Sequence, residues 1–146
     1  MILIKNIDNL VIPLFKKYEI ALSRFAIFLV YFWFGGLKVV GLSPATPLVK
    51  TLFDATLSSF VSFEFFYILF SLFEVLIGIL FLIKGFERVA ILLVLLHLFT
   101  TILPLAFLPE ITWQGFLVPT LEGQYIIKNI LILATTVVIG SRLNPL

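Results

Sequence analysis

Residues 64–100 read "EFFYILFSLFEVLIGILFLIKGFERVAILLVLLHLFT", two long apolar runs joined by the polar hinge "KGFER". A helix needs ~20 mostly apolar residues to cross the hydrocarbon core of a bilayer. The first run supplies them from Glu64 to Ile83 and is closed by Lys84 and Gly85; the second starts at Glu87 and reaches the bend expected at Pro104. A connection this short leaves the two helices no arrangement but antiparallel neighbours. Outward from this pair, Ala21–Val40 forms another span, ended by Gly41 and Pro44, and Gly123–Gly140 a further one, followed by Arg142.

The composition agrees. The chain has 146 residues, of which 62% are apolar and 12% charged, with a mean hydropathy of +1.22. A soluble domain carries about a quarter charged residues, and this chain has half that, which argues against a water-soluble fold. Cysteine is absent, which removes disulfides, thiol redox chemistry and thiolate metal sites. The net charge of +2 gives no footprint for nucleic acid.

The expected architecture is therefore an all-α membrane protein, a single integral domain over 1–146. It is a four-transmembrane-helix antiparallel bundle with spans at 21–40, 64–83, 87–104 and 123–140. In residues 1–19, Ile4, Ile7, Val11, Leu14 and Tyr18 fall at helical spacing while Lys5, Asp8, Asn9 and Lys16 mostly lie off that stripe. This predicts an N-terminal amphipathic interfacial helix bent at Pro13 rather than a signal peptide. Thr46 as N-cap and Pro47 as first helical residue predict a short surface helix. Residues 105–122, "LAFLPEITWQGFLVPTLE", have no period and are expected to fold over the bundle mouth.

Basic residues give the expected orientation. With the N-terminus inside, Lys5, Lys16, Lys17, Arg24, Lys84, Arg88 and Arg142 are cytoplasmic, against Lys38, Lys50 and Lys128 outside, seven against three. Both termini then lie on the cytoplasmic side of a cell inner membrane.

Ionisable residues inside spans cost on the order of 2.5–3.5 kcal/mol each at mid-helix, so their placement is the strongest functional clue. Glu64, Tyr67, Ser71, Glu74 and Gly78 step by 3, 4, 3 and 4 along one face. Ala90, His97, Thr101 and Pro104 share a face; so do Arg24, Tyr31, Gly35 and Lys38, and Gln124, Lys128, Thr135 and Arg142. Four such stripes are best buried against one another. Glu74 and His97 each lie ten residues into their spans, ~15 Å deep at ~1.5 Å per residue. They are expected to hydrogen-bond near the midplane and to handle a proton. Lys38, Glu64, Glu122 and Lys128 are expected to cluster at the outer mouth, with Gly35 and Gly36 permitting close helix approach. Trp33 and Trp113 read as interfacial anchors, with ligand stacking the alternative. His97 has no second ligand at metal-binding spacing on its helix, so no metal site is expected.

The stretches "WFGGLKVVGLSP" (33–44), "FEVLIGILFLI" (73–83) and "LEGQYIIKN" (121–129) together resemble the DoxX-like family of small four-helix membrane proteins, including its reactive-chlorine-resistance inner-membrane branch. The resemblance covers about residues 20–142. It implies a bundle in a prokaryotic cytoplasmic membrane and an association with quinone-linked oxidation or with oxidative stress. On the matching positions it implies roles for Gly35, Gly36, Lys38, Glu74, Glu122, Gln124, Tyr125, Lys128 and Asn129.

Three expectations follow. In the first, the chain is a redox-associated subunit that binds a quinone between its helices. Glu74 and His97 carry the proton, and Lys38, Glu64, Tyr67, Trp113, Glu122, Gln124, Tyr125, Lys128 and Asn129 line the entrance. A redox partner protein supplies the electrons, because the chain has no thiol or flavin chemistry of its own. In the second it is a small proton-coupled transporter or channel, as a homo-oligomer; in the third, a non-catalytic assembly protein.

Overall fold

The computed structural model describes residues 2–145, with side chains from Ile7 onward. It is mostly helical: α1 (Ile2–Val39), α2 (Thr46–Thr56), α3 (Phe63–Leu82), α4 (Glu87–Ile102), α5 (Pro104–Phe107), α6 (Pro109–Thr112), α7 (Leu121–Lys128) and α8 (Ile130–Gly140). Four stretches are long and apolar enough to cross a membrane: Ile7–Val39, Phe63–Leu82, Glu87–Phe107 and Leu121–Gly140. By the length and composition of these helices the chain is a multi-pass membrane protein.

Local chemistry sets the helix ends. The Ser62 hydroxyl caps α3 by accepting the Phe65 N–H at 3.4 Å, and Glu64 adds a negative charge to that first turn. After α3 the chain reverses through Gly85, whose φ of +91° is open to glycine and strained for other residues. Pro104, with no N–H to donate, ends α4 and opens α5. The Thr120 hydroxyl accepts the Gly123 N–H at 3.1 Å to cap α7.

Three features differ from the expectation. First, α1 is one continuous helix through Pro13, where an interfacial segment over 1–19 and a separate span were expected; Met1 lies outside the described residues. A proline forfeits one backbone hydrogen bond, and the apolar stretch on its C-terminal side carries the helix past that loss. Second, α2 starts at Thr46 with Ala45 as its N-cap. The Thr46 hydroxyl instead donates to the Ser43 carbonyl at 2.8 Å and meets the Tyr67 hydroxyl at 2.5 Å, tying α2 to α3. Third, the aperiodic 105–122 segment contains a small antiparallel hairpin, β1 (Trp113–Gly115) with β2 (Val118–Pro119). Leu117, at φ +57°, makes its turn.

The core is built by α1, α3, α4 and α8 from Ile27, Tyr31, Ile77, Leu80, Phe81, Ala90, Val94 and Ile139. The outward faces carry large apolar side chains, among them Phe25, Leu72, Leu92, Phe99 and Leu131. Such a surface is unfavourable in water and matched to lipid. The α1–α3 seam is the closest. A Cβ on Gly35 would lie 2.9 Å from the Val75 nitrogen, and one on Gly78 2.8 Å from the Phe32 nitrogen. These two glycines let the helix backbones touch.

Gly123 sits under the hairpin, where a Cβ would fall on the Thr112 carbonyl oxygen. Gly123→Ala is expected to lower stability by about 1–2 kcal/mol, within the range for overpacking. The check is faster proteolysis of the 109–120 segment in detergent.

At the end of the spans near the α3–α4 turn, Arg24 joins three helices. Its Nε donates to the Phe81 carbonyl at 2.6 Å and its Nη1 pairs with Glu87 at 2.5 Å. Glu87 in turn accepts the Gly85 N–H at 2.7 Å. Arg142, just past α8, pairs with Glu19 of α1 at 2.5 Å.

Candidate functional site

Gly35 holds α1 against Ser71, Glu74 and Val75 of α3, and Lys38 follows it by one turn. The Lys38 ammonium therefore reaches Glu74 Oε2 at 2.5 Å. On the other carboxylate oxygen, Glu74 Oε1 lies 2.9 Å from His97 Nε2 of α4. His97 Nδ1 lies 3.0 Å from the Tyr31 hydroxyl, back on α1 two turns before Lys38. Four ionisable side chains from three helices thus form one unbranched chain, Lys38–Glu74–His97–Tyr31. Their exposures are 7, 5, 6 and 4%.

Burial of this kind is tolerated only when every polar atom is paired. Among the described residues no buried side-chain nitrogen or oxygen lacks a partner. Two proton arrangements satisfy the contacts. With neutral imidazole, Nε2–H donates to Glu74 and the Tyr31 hydroxyl donates to Nδ1. With imidazolium, Nε2–H donates to Glu74 and Nδ1–H donates to the Tyr31 oxygen. Protonation at Nδ1 keeps both contacts of His97 and reverses the direction of the one to Tyr31.

Aromatic rings enclose the imidazole. Phe70 stacks on it at 5.3 Å and 20°, Tyr31 meets it edge-on at 5.0 Å, and Phe73 lies at 6.2 Å. The Lys38 ammonium is also 5.7 Å from the Phe70 ring centroid, close enough for a cation–π attraction. On the far side of Phe70 an open apolar groove of about 350 Å³ runs along α3, lined by Val61, Phe65, Phe66, Leu69, Phe70 and Phe73. Phe70 and Phe73 line this groove and also lie against His97.

The mouth cluster expected from sequence does not form. Lys38 pairs with Glu74 and not with Glu64, which lies ten residues, or ~15 Å, earlier in α3. Glu64 and Glu122 are exposed and make no side-chain hydrogen bond among the described residues. Gln124 and Tyr125 are exposed too, and Lys128 lies over the Tyr125 ring at 5.1 Å. Asn129 Nδ2 donates to Thr101 at 3.4 Å. Trp113 is half-buried and donates from Nε1 to the Leu105 carbonyl at 3.0 Å. Tyr67 is engaged with Thr46.

The fourth polar stripe is also out of register. Gly123, Ile126, Thr136 and Ile139 are buried there, while Gln124, Lys128 and Arg142 are exposed. Sequence reasoning missed the roles of Tyr31 and Phe70, although the seven-residue spacing of Tyr31 and Lys38 already puts both on one helical face. Among the described residues no three His, Asp or Glu side chains gather as a metal-binding group. Comparison of the chain with protein-family models, with curated proteins and with solved structures gives no match.

Proposed function

We propose that this chain is a redox-associated membrane subunit that binds a quinone-like molecule against α3 and exchanges protons with it through His97 and Glu74. The observation that carries the reading is the juxtaposition of the buried Lys38–Glu74–His97–Tyr31 chain with a phenylalanine-lined groove, Phe70 standing between them. A flat lipophilic ring suits aromatic walls, and its oxygens need a proton source when it is reduced. Reduction of a quinone to its quinol consumes two electrons and two protons. The electrons come from a partner redox protein. Each proton leaves from His97 Nδ1 and is replaced from water at the membrane surface, while the Glu74 carboxylate, balanced by Lys38, holds Nε2–H. Phe70 covers a face of the imidazole, and its rotation together with release of the Tyr31 contact opens Nδ1 to the groove.

The arrangement we infer around this site is an antiparallel four-helix bundle, the bundle being what the resemblance to DoxX-like proteins implies, with both termini cytoplasmic by the placement of the basic residues. The supporting contacts run in opposite senses along α1 and α3. Arg24 reaches Phe81, while Gly35, farther along α1, abuts Ser71, earlier in α3. The basic residues Lys84, Arg88 and Arg142 follow or begin the helices that meet at the Arg24 end, which supports that end as cytoplasmic.

The test is titration of the protein in nanodiscs with a short-tailed naphthoquinone, followed by quenching of Trp33 and Trp113. Phe66 stacks on Phe70 at 5.6 Å, and an aromatic contact contributes about 0.5–1.5 kcal/mol. Phe66→Ala is therefore expected to weaken binding by about two- to tenfold, and His97→Ala to weaken it further. Phe99→Ala, on the lipid-facing side of α4, is expected to leave it unchanged. Equal affinity in all of these proteins sinks the reading.

A second reading has its own support. The complete pairing of the buried chain suits a purely structural lock between helices. It predicts stability losses on mutation and no saturable quinone binding.

A further inference from the structure

At the Arg24 end of the spans the charges are unevenly matched. Arg24 is paired with Glu87 and Arg142 with Glu19. Arg88, one residue into α4, pairs with no carboxylate among the described residues; one of its terminal nitrogens donates to the Asn144 carbonyl. Lys84, in the connection before α4, is exposed and likewise lacks a carboxylate partner among the described residues.

Arg88 sits in an open cleft of about 500 Å³ between α4 and the end of α8. Ile91 and Leu92 form one wall, Gly140 and Leu143 the other. Gly140 has no side chain, and this recesses its wall. A Cβ there would meet Ile91 Cδ1 at 3.6 Å, an ordinary contact, whereas a larger side chain would fill the cleft.

We propose that this cleft is a binding site for one anionic phospholipid, with the phosphate on Arg88 and an acyl chain between the two walls. The inference is independent of the quinone reading. A guanidinium has five N–H donors in a planar fork, and most remain for a phosphate after the bond to Asn144. Phosphate is the anion this fork fits bidentately. The apolar walls begin three to four residues further into α4, ~5 Å deeper, so charge and grease follow the order of headgroup and chain. A free phosphate would use only the charged end. Basic pockets between spans are a recurrent form of headgroup site.

The experiment is native mass spectrometry of the full chain released from nanodiscs holding phosphatidylglycerol and phosphatidylcholine in equal parts. Wild type is expected to retain one phosphatidylglycerol in preference to phosphatidylcholine. Removing one basic contact near a membrane surface costs about 1 kcal/mol, so Arg88→Gln is expected to lower that preference about fivefold. Gly140→Leu, which fills the cleft and leaves Arg88 in place, is expected to lower retention of the lipid as well. Lys50→Gln, on α2, is expected to change nothing. Equal retention of the two lipids by wild type overturns the proposal. So does an equal loss in Arg88→Gln and Lys50→Gln, or displacement of the lipid by inorganic phosphate alone.

Discussion

Lys38→Met is expected to destabilise the folded chain by about 3–5 kcal/mol, the cost of leaving one member of a buried ion pair without its partner. The Glu74 carboxylate would keep His97 on one oxygen and lose the ammonium now 2.5 Å from the other. Desolvation of an unbalanced carboxylate is far more costly than the loss of one ordinary hydrogen bond. The double variant Lys38→Met/Glu74→Gln removes both charges and is expected to recover most of the loss, because a neutral amide can still accept from His97. Unfolding of both proteins in mixed micelles, followed by helix content, measures the difference. A double variant no more stable than Lys38→Met would mean that the pair is not coupled as its geometry requires.

The second large effect is expected at the α1–α3 seam. In Gly78→Val a Cβ would lie 2.8 Å from the Phe32 nitrogen and 3.1 Å from the Phe28 carbonyl oxygen. Both are backbone atoms of α1, so neither can swing aside as a side chain does. The helices must separate, and the loss is expected at the upper end of the about 1–3 kcal/mol typical of overpacking. Separation also pulls Lys38 away from Glu74. Gly78→Val should therefore impair any property that depends on the buried chain, although residue 78 is not one of its members. Gly36→Val, on α1 with nothing within 4 Å of an added Cβ, is the control and is expected to be nearly silent.

The spans were legible because bilayer thickness fixes their length and the apolar runs have few interruptions. The expected 64–83 and 123–140 compare with Phe63–Leu82 and Leu121–Gly140 in the structure. Glu74 and His97 were brought together by depth alone, and they lie 2.9 Å apart. The first helix was misjudged because Lys5, Asp8, Lys16 and Lys17 dilute its hydropathy, whereas helix continuity depends on the backbone and survives one proline. The fourth stripe differs because it is counted from polar side chains. Gln124 and Lys128 are already exposed in α7, where Gly123 and Ile126 are the buried residues, and the count from them arrives at Thr135 when the buried residue is Thr136. The hairpin at 113–119 left no alternating pattern because its strands are three and two residues long.

The partner of Lys38 was misplaced for a related reason. Counting along one helix gives the depth of a side chain but not which neighbour it meets. That choice is made by Gly35, which brings α1 within reach of Glu74 and leaves Glu64 at the exposed start of α3. The aromatic wall around His97 was hidden in a different way. With 17 phenylalanines in the chain, nothing in the pattern distinguishes Phe70 from those that face lipid.

We propose that protons pass between a bound quinone and the His97–Glu74 pair. The most direct measurement is an infrared difference spectrum, recorded as the quinone-loaded protein is reduced in a membrane film. A carboxyl band is expected to change on reduction and to be missing in Glu74→Gln, with an imidazole band missing in His97→Ala. Spectra identical in wild type and both variants would contradict it, and the four buried side chains would then stand as a lock between helices.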